Sequence, residues 1–193
     1  IDPDLGIERA LRRRDVTINA MALDLKKFLA GAPIADGVTQ QAHLRACLVD
    51  PYGGYQDIQD RILRAIDPDL FVEDPLRLYR VMQFIGRFEM YPDEVLQNIC
   101  KTMDIRLVST ERVGEEFRKL FLCSRAPSRG IRWLQAMGRL HEILPEISAL
   151  IGVYQRADYH PEGDVFEHTM QALDAAAGLS PEFFAHGGRI ACH

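Results

Sequence analysis

Residues 72–84 read VEDPLRLYRVMQF, and the stretch continues as IGRF to residue 88. Glu73 and Asp74 lead it, and Arg77 and Arg80 follow one turn apart. Leu78, Val81, Met82 and Ile85 recur at i, i+3, i+4 and i+7, the spacing of one buried helix face. Asp74 suits the N-cap, because a carboxylate accepts from the free N–H groups of a first turn. Pro75 suits the first helical position, where its missing N–H costs nothing. At about 100° per residue, Asp74, Arg77, Arg80 and Arg87 share an arc of roughly 140°, off-centre from the apolar set. The spacing predicts a core helix with a polar stripe, one carboxylate at its start and several guanidiniums after it.

Downstream, the chain reads almost wholly helical. PDEVLQNICKTM starts a helix after Pro92, and STERVGEEFRKLFLC carries Ser109 or Thr110 ahead of a Glu at capping-box spacing. PSRGIRWLQAMGRLHEIL reads as one further helix, and DVFEHTMQALDAAAGL as another beyond Pro161. Upstream the signal is mixed. Val16 to Leu23 has a β-branched start and an Ala/Met/Leu end, so it suits a short strand or a helix. Residues 30–43, AGAPIADGVTQQAH, read as a loop, and Arg45 to Val49 as a short strand. Asp50-Pro51-Tyr52-Gly53-Gly54 is a turn, and Asp57 begins a short helix.

The 193 residues, 47% apolar and 26% charged, fit a soluble globular protein of one large or two small domains. No run of 18 apolar residues exists, so no membrane span is expected. No signal peptide is visible and the cysteines show no CxxC spacing, which argues against a structural zinc site and points to a cytoplasmic protein. Without an initiator Met, and ending on what reads as mid-helix, the sequence is expected to be part of something longer. The net charge of −5 disfavours nucleic acid by itself. Its distribution is less simple: residues 101–140 carry nine Lys/Arg against four Asp/Glu, and residues 141–193 two against eight. The middle segment is either a solvated helix face or a surface for phosphates.

The stripe after Asp74 suits two chemistries. An Asp74–Arg77 ion pair at i, i+3 would contribute only about 0.2–0.5 kcal/mol. The alternative is a template for a nucleobase. A carboxylate accepts from the exocyclic amino group of cytosine or adenine, and a neighbouring guanidinium donates to an adjacent ring acceptor. Uracil and guanine present a carbonyl at that position and would be rejected. Arg80 can then meet a triphosphate.

Four segments occur in order: RRRDVTINAMAL (12–23), DPYGGYQDIQDRILR (50–64), EDPLRLYRVMQFIGRF (73–88) and ERVGEEFRKLF (111–121). Together they closely resemble the bacterial class II tRNA nucleotidyltransferase/poly(A) polymerase family, whose best known members are CCA-adding enzymes. The resemblance spans residues 1 to about 155. It implies that Arg14 meets the triphosphate or ribose, that Asp15 and Asn19 organise the ribose and loop, and that Asp74 and Arg77 form the base template. Arg80 matches a further nucleotide contact. Glu111 and Arg112 match support beneath the template helix. Gly53-Gly54 matches a hinge, although an ordinary tight turn explains the pair equally well.

The family also implies Mg2+, with ATP and CTP as substrates and a tRNA or other RNA 3′ end as partner. Its metal-binding aspartates and glycine loop belong to an N-terminal head ahead of residue 1. Asp2-Pro3-Asp4 and Asp67-Pro68-Asp69 are poor substitutes, lacking a preceding apolar strand and glycine loop. The chain alone is therefore expected to be inactive, with no catalytic residue of its own. The tail YHPEGDVFEHTMQAL resembles the opening of an HD-type phosphohydrolase domain, which would make His168 its first metal ligand; a helix-packing role suits it too. One histidine holds no metal, so none is expected.

The implied fold is mainly α: the remnant of an α/β nucleotidyltransferase head (1–66), a helical neck and body (67–156) and the first helices of an HD domain (157–193). The implied function is addition of C and A to tRNA 3′ ends. Poly(A) polymerase and partial CC- or A-adding enzymes share the motifs. Readings of another class are a non-catalytic RNA-binding relic and an HD phosphohydrolase.

Overall fold

The computed structural model describes residues 6–31, 37–155 and 163–179. The elements run α1 (Ile7–Arg12), a 3-10 turn (Thr17–Asn19), β1 (Ala22–Leu23), α2 (Leu25–Ala30), α3 (Gly37–Ala46), β2 (Leu48–Val49), α4 (Gly54–Asp60) and β3 (Ile62–Leu63). There follow α5 (Pro68–Phe71), α6 (Leu76–Phe88), β4 (Tyr91–Pro92), α7 (Glu94–Thr102), α8 (Thr110–Cys123), α9 (Ser128–Ala136), α10 (Leu140–Ile143), α11 (Pro145–Ser148) and α12 (Val165–Ala177). The fold is mainly α, as the sequence implied. Its strands form two small pairs, β1 antiparallel to β2 and β3 parallel to β4.

The helix that decided the reading is the centre of the core. Leu78, Val81 and Met82 of α6 are fully buried, and Ile85 nearly so. Each such side chain stabilises the fold by about 1.5–3 kcal/mol. α6 packs on α8 and on α9, and one contiguous core runs from Val16 through α6, α8 and α9 to Phe166 and Met170 of α12. The α6–α9 crossing is close because of Gly130. A Cβ there would lie 2.7 Å from the Met82 carbonyl oxygen.

Local chemistry sets most boundaries. Asp93, Ser109 and Asp164 cap α7, α8 and α12 with their side chains. Asp50 accepts from the N–H groups of Gly54 and Tyr55, which fixes the turn into α4, with Gly53 left-handed at φ 75°. α6 begins one residue later than expected, at Leu76, whose N–H still donates to the Asp74 carboxylate at 3.1 Å. α6 ends on Glu89, a left-handed non-glycine residue at φ 54°, whose carboxylate meets Arg129 of α9 at 3.3 Å.

Three sequence expectations change. Residues 37–46 form α3 rather than a loop and take Arg45 out of the expected strand, because Gly37 to Ala46 has no proline to stop a helix. Residues 32–36 of that expected loop lie outside the described residues. Val16 makes a single bridge to Ala65 instead of opening a strand, because the next residues tighten into the 3-10 turn. The helix expected from Pro127 to Leu144 breaks at Gly138, which is left-handed at φ 74°. There Arg139 turns inward and donates to the carbonyls of Cys100, Lys101 and Met103, satisfying the C-terminal end of α7. Buried Cys100 lies beneath it, its thiol pushed up to about 12 by burial against the opposing pull of Arg139.

Gly130→Ala is expected to destabilise the chain by about 1–3 kcal/mol, because the Met82 backbone cannot yield without moving α6. Urea unfolding checks this; an unchanged midpoint would show the crossing to be looser than it is drawn.

Candidate functional site

The segment from Arg12 to Asn19 lies against the first turns of α6, and the two meet through charge. Asp15 is buried, and its carboxylate accepts from Arg80 Nε at 2.6 Å and from Asn19 Nδ2 at 3.0 Å. Burial pushes the Asp15 carboxyl up, but the Arg80 charge, the two side-chain hydrogen bonds and the Val16 N–H together hold it below its usual value. Arg80 also lies 3.9 Å from Glu116 of α8, and Glu116 accepts from Lys119 at 2.7 Å. Its guanidinium sits over the Phe84 ring, 5.2 Å from the centroid. Asp15, Asn19 and Arg80 are thus one constellation assembled from residues 65 apart in sequence.

Arg77 is a second tie across the same seam. Its guanidinium donates to the Arg13 carbonyl at 2.9 Å and to the Leu70 carbonyl. It makes no ion pair with Asp74. Asp74 is met instead by Arg112 of α8 at 2.9 Å, while its other oxygen caps Leu76. The i, i+3 ion pair considered from sequence is therefore replaced by an interhelical one, because one Asp74 oxygen is held by the first-turn N–H of Leu76 and the other by Arg112. Asp74 lies on a groove lined by Val72, Glu73, Pro75, Asp104, Leu107 and Arg112.

Arg14 is exposed, with no ion pair among the described residues. A neighbouring open cleft is lined by Arg9, Arg12, Arg13, Asp67, Asp69 and Leu70. His168 stands exposed on α12. Among the described residues no group of three or more His, Cys, Asp or Glu can hold a metal. Asp67 pairs with Arg12 at 2.7 Å and caps Asp69 and Leu70, so Asp67-Pro68-Asp69 does not fit a magnesium site.

Sequence reasoning missed three contributors. Glu116 is buried at 2% exposure, though its motif had been noted for Glu111 and Arg112. Asp57 is buried too, accepting from the Thr17 hydroxyl at 2.6 Å and from Arg64 at 2.9 Å, and so ties the DPYGG segment to the RRRDVTINA segment. Third, the cations of residues 101–140 are largely committed: Arg106, Arg112, Arg118, Lys119, Arg129, Arg132 and Arg139 all form ion pairs. Lys101 and Arg125 remain exposed without one among the described residues.

Residues 92–151 match the family model described as "Probable RNA and SrmB-binding site of polymerase A". The chain is 40% identical over 187 residues to a multifunctional CCA protein of Stenotrophomonas maltophilia, covering 93% of this chain and 41% of that protein. It is 39% identical over 185 residues to one of Vibrio vulnificus, covering 92% and 40%. Among solved structures it resembles a Bacillus stearothermophilus CCA-adding enzyme in complex with CTP, at 25% identity and a TM-score of 0.54, covering 69% of this chain and 30% of that one. The fold also matches a Thermotoga maritima CCA-adding enzyme complexed with tRNA, at 22% identity and a TM-score of 0.60, covering 95% and 38%. The chain thus spans about two-fifths of the length of the curated relatives it matches.

Removing Arg80 strands a buried carboxylate. Arg80→Ala is expected to cost about 2 kcal/mol, below the figure for a fully buried pair because the Arg80 side chain is 30% exposed. The Asp15 contribution is full above the ordinary carboxylate value of 3.8 and fades as pH falls through its lower folded value. Asp15→Asn should therefore unfold with a shallower loss of stability in the acid range, measured by urea titrations at neutral pH and below about pH 4. Parallel curves for the two proteins would exclude the pair as the source.

Proposed function

The chain belongs to the tRNA nucleotidyltransferase/poly(A) polymerase family, and on that premise we propose that it is the base-selecting and RNA-facing part of an enzyme that adds C and A to tRNA 3′ ends from CTP and ATP. The observation that carries this is the placement of Asp74 on an open groove, three residues before Arg77 and at the start of the helix whose Arg80 pairs with Asp15. Each Asp74 oxygen already accepts one N–H but has a lone pair left, so it can accept an exocyclic amino group as well. Two Arg77 N–H groups hold the Leu70 and Arg13 carbonyls, which fix its plane and leave other donors for a ring acceptor. On this reading Arg80 and the exposed Arg14 meet phosphate, and Asp15 and Asn19 order the ribose side.

No transferase step is assigned to these residues. Nucleotidyl transfer requires a pair of magnesium ions, and on this reading Mg2+ chemistry is assigned to no residue of this chain. RNA contact is assigned to the segment within residues 92–151, read by charge and shape rather than by base edges. A head remnant over 1–66, a neck and body over 67–156 and an HD-like start over 157–193, with His168 as its first ligand, complete the proposed layout. Residues 1–5, which include Asp2-Pro3-Asp4, and residues 32–36, 156–162 and 180–193 of that layout lie outside the described residues.

A second reading is poly(A) polymerase, favoured by the match of residues 92–151 to a probable RNA-binding site of polymerase A. Titration of the chain with CTP, ATP, GTP and UTP, alongside Asp74→Ala and Arg77→Ala, tests base selection. Preference for CTP and ATP that disappears in both variants is expected; equal binding of all four would remove these residues from that role, and ATP alone would favour the second reading. For RNA, Lys101→Ala and Arg125→Ala should each weaken binding and lower the salt slope by about one. An unchanged slope would move the phosphate contacts elsewhere.

A further inference from the structure

Glu116 is the side chain the site reading leaves unexplained. It lies on the buried face of α8, and its Oε1 accepts from Lys119 Nζ at 2.7 Å and sits 3.9 Å from Arg80 Nη1. Its Oε2 is sealed from solvent and has no hydrogen-bond partner. A carboxylate held in the core with half its capacity unused is a costly way to stabilise a helix pair, and an apolar side chain of similar volume would serve stability better. Its position explains what it does instead. Asp15 hydrogen-bonds Arg80 at Nε, the Phe84 ring lies beneath the guanidinium face, and the Glu116 carboxylate stands 3.9 Å from Nη1, an ion pair without a hydrogen bond. Nη2 has no hydrogen-bond partner among the described residues and is the edge left to a ligand.

We propose that Glu116 is a positioning residue of the nucleotide site, which by holding the Nη1 side of Arg80 turns the Nη2 edge toward a phosphate oxygen. This rests on the reading that Arg80 meets a triphosphate. It gives a role to a member of the ERVGEEF motif beyond supporting the helix above it. Because the phosphate is common to CTP and ATP, Glu116 acts on affinity and leaves base preference to Asp74 and Arg77.

The test is calorimetric titration of the full chain with CTP and with ATP, with the thermal midpoint measured in parallel. Glu116→Gln keeps the volume and removes the charge. It is expected to raise the dissociation constants of both nucleotides by about tenfold, to the same extent, the scale of one charge-assisted hydrogen bond. The effect should vanish in an Arg80→Lys background, where no planar fork remains to be oriented. A lowered midpoint with unchanged affinity would overturn the proposal, since that is what a purely structural residue gives. Tighter binding would overturn it too, by showing Glu116 to be only an opposing charge. So would an equal loss in the Arg80→Lys background.

Should Glu116→Gln fail to fold, Lys119→Met provides the second variant. It removes the ion pair that anchors the Glu116 carboxylate beside Nη1 and is expected to weaken both nucleotides to a smaller degree; unchanged affinity overturns the proposal. If Arg80→Ala abolishes binding and Glu116→Gln leaves it intact, only this inference fails. A wild-type chain that binds neither nucleotide overturns the function reading with it.

Discussion

The contact on which the arrangement depends is the buried ion pair between Asp15 and Arg80. A carboxylate at 6% exposure is tolerable only with a cation and further donors around it, and Arg80, Asn19 and a backbone N–H supply them. The pair has a second effect. It fastens a segment that is almost without regular structure to the most deeply packed helix of the molecule. Arg77 reinforces the seam by reaching the Arg13 carbonyl, and Arg12 does so by pairing with Asp67. Three guanidiniums therefore work across one junction, and their shared geometry brings two sequence-distant motifs into contact.

The seam extends to a second buried carboxylate. Asp57 joins Thr17 to Arg64, and Arg64 continues to Asp93, which caps α7. The 3-10 turn is held from both sides, by the α4 segment and by α6. Gly54 belongs to the same contact: its α-carbon packs so tightly on the Thr17 carbonyl that any side chain would collide with the backbone. This ties the Gly53-Gly54 element to the segment around Thr17 through atoms, whatever motion the glycines allow.

How much of this was legible in the sequence varied with the kind of signal. The α6 face was read correctly because Leu78, Val81, Met82 and Ile85 obey one period, and periodicity survives into the fold. The cap at Ser109 was readable for a similarly local reason. What could not be read was partner choice. Asp74 and Arg77 are neighbours on a helix, yet each pairs with something distant, Arg112 in one case and two carbonyls in the other. The positive balance of residues 101–140 stayed open for the same reason, since composition counts cations without their carboxylates and Arg139 serves as an internal helix cap. The break at Gly138 was lost because the flanking apolar pattern runs through it.

The end of α6 has a consequence for how sequences of this kind are compared. Glu89 holds a backbone conformation that glycine adopts freely, and its carboxylate links α6 to Arg129. Left-handed strain and an exposed ion pair are each on the order of 1 kcal/mol, with opposite signs. Exchange of Glu89 for glycine would relax the turn while cutting the link, and the two effects nearly cancel. Evolutionary drift between those residues would therefore look like the freedom of a surface loop. In fact it would be a choice between two physically different solutions for ending the same helix.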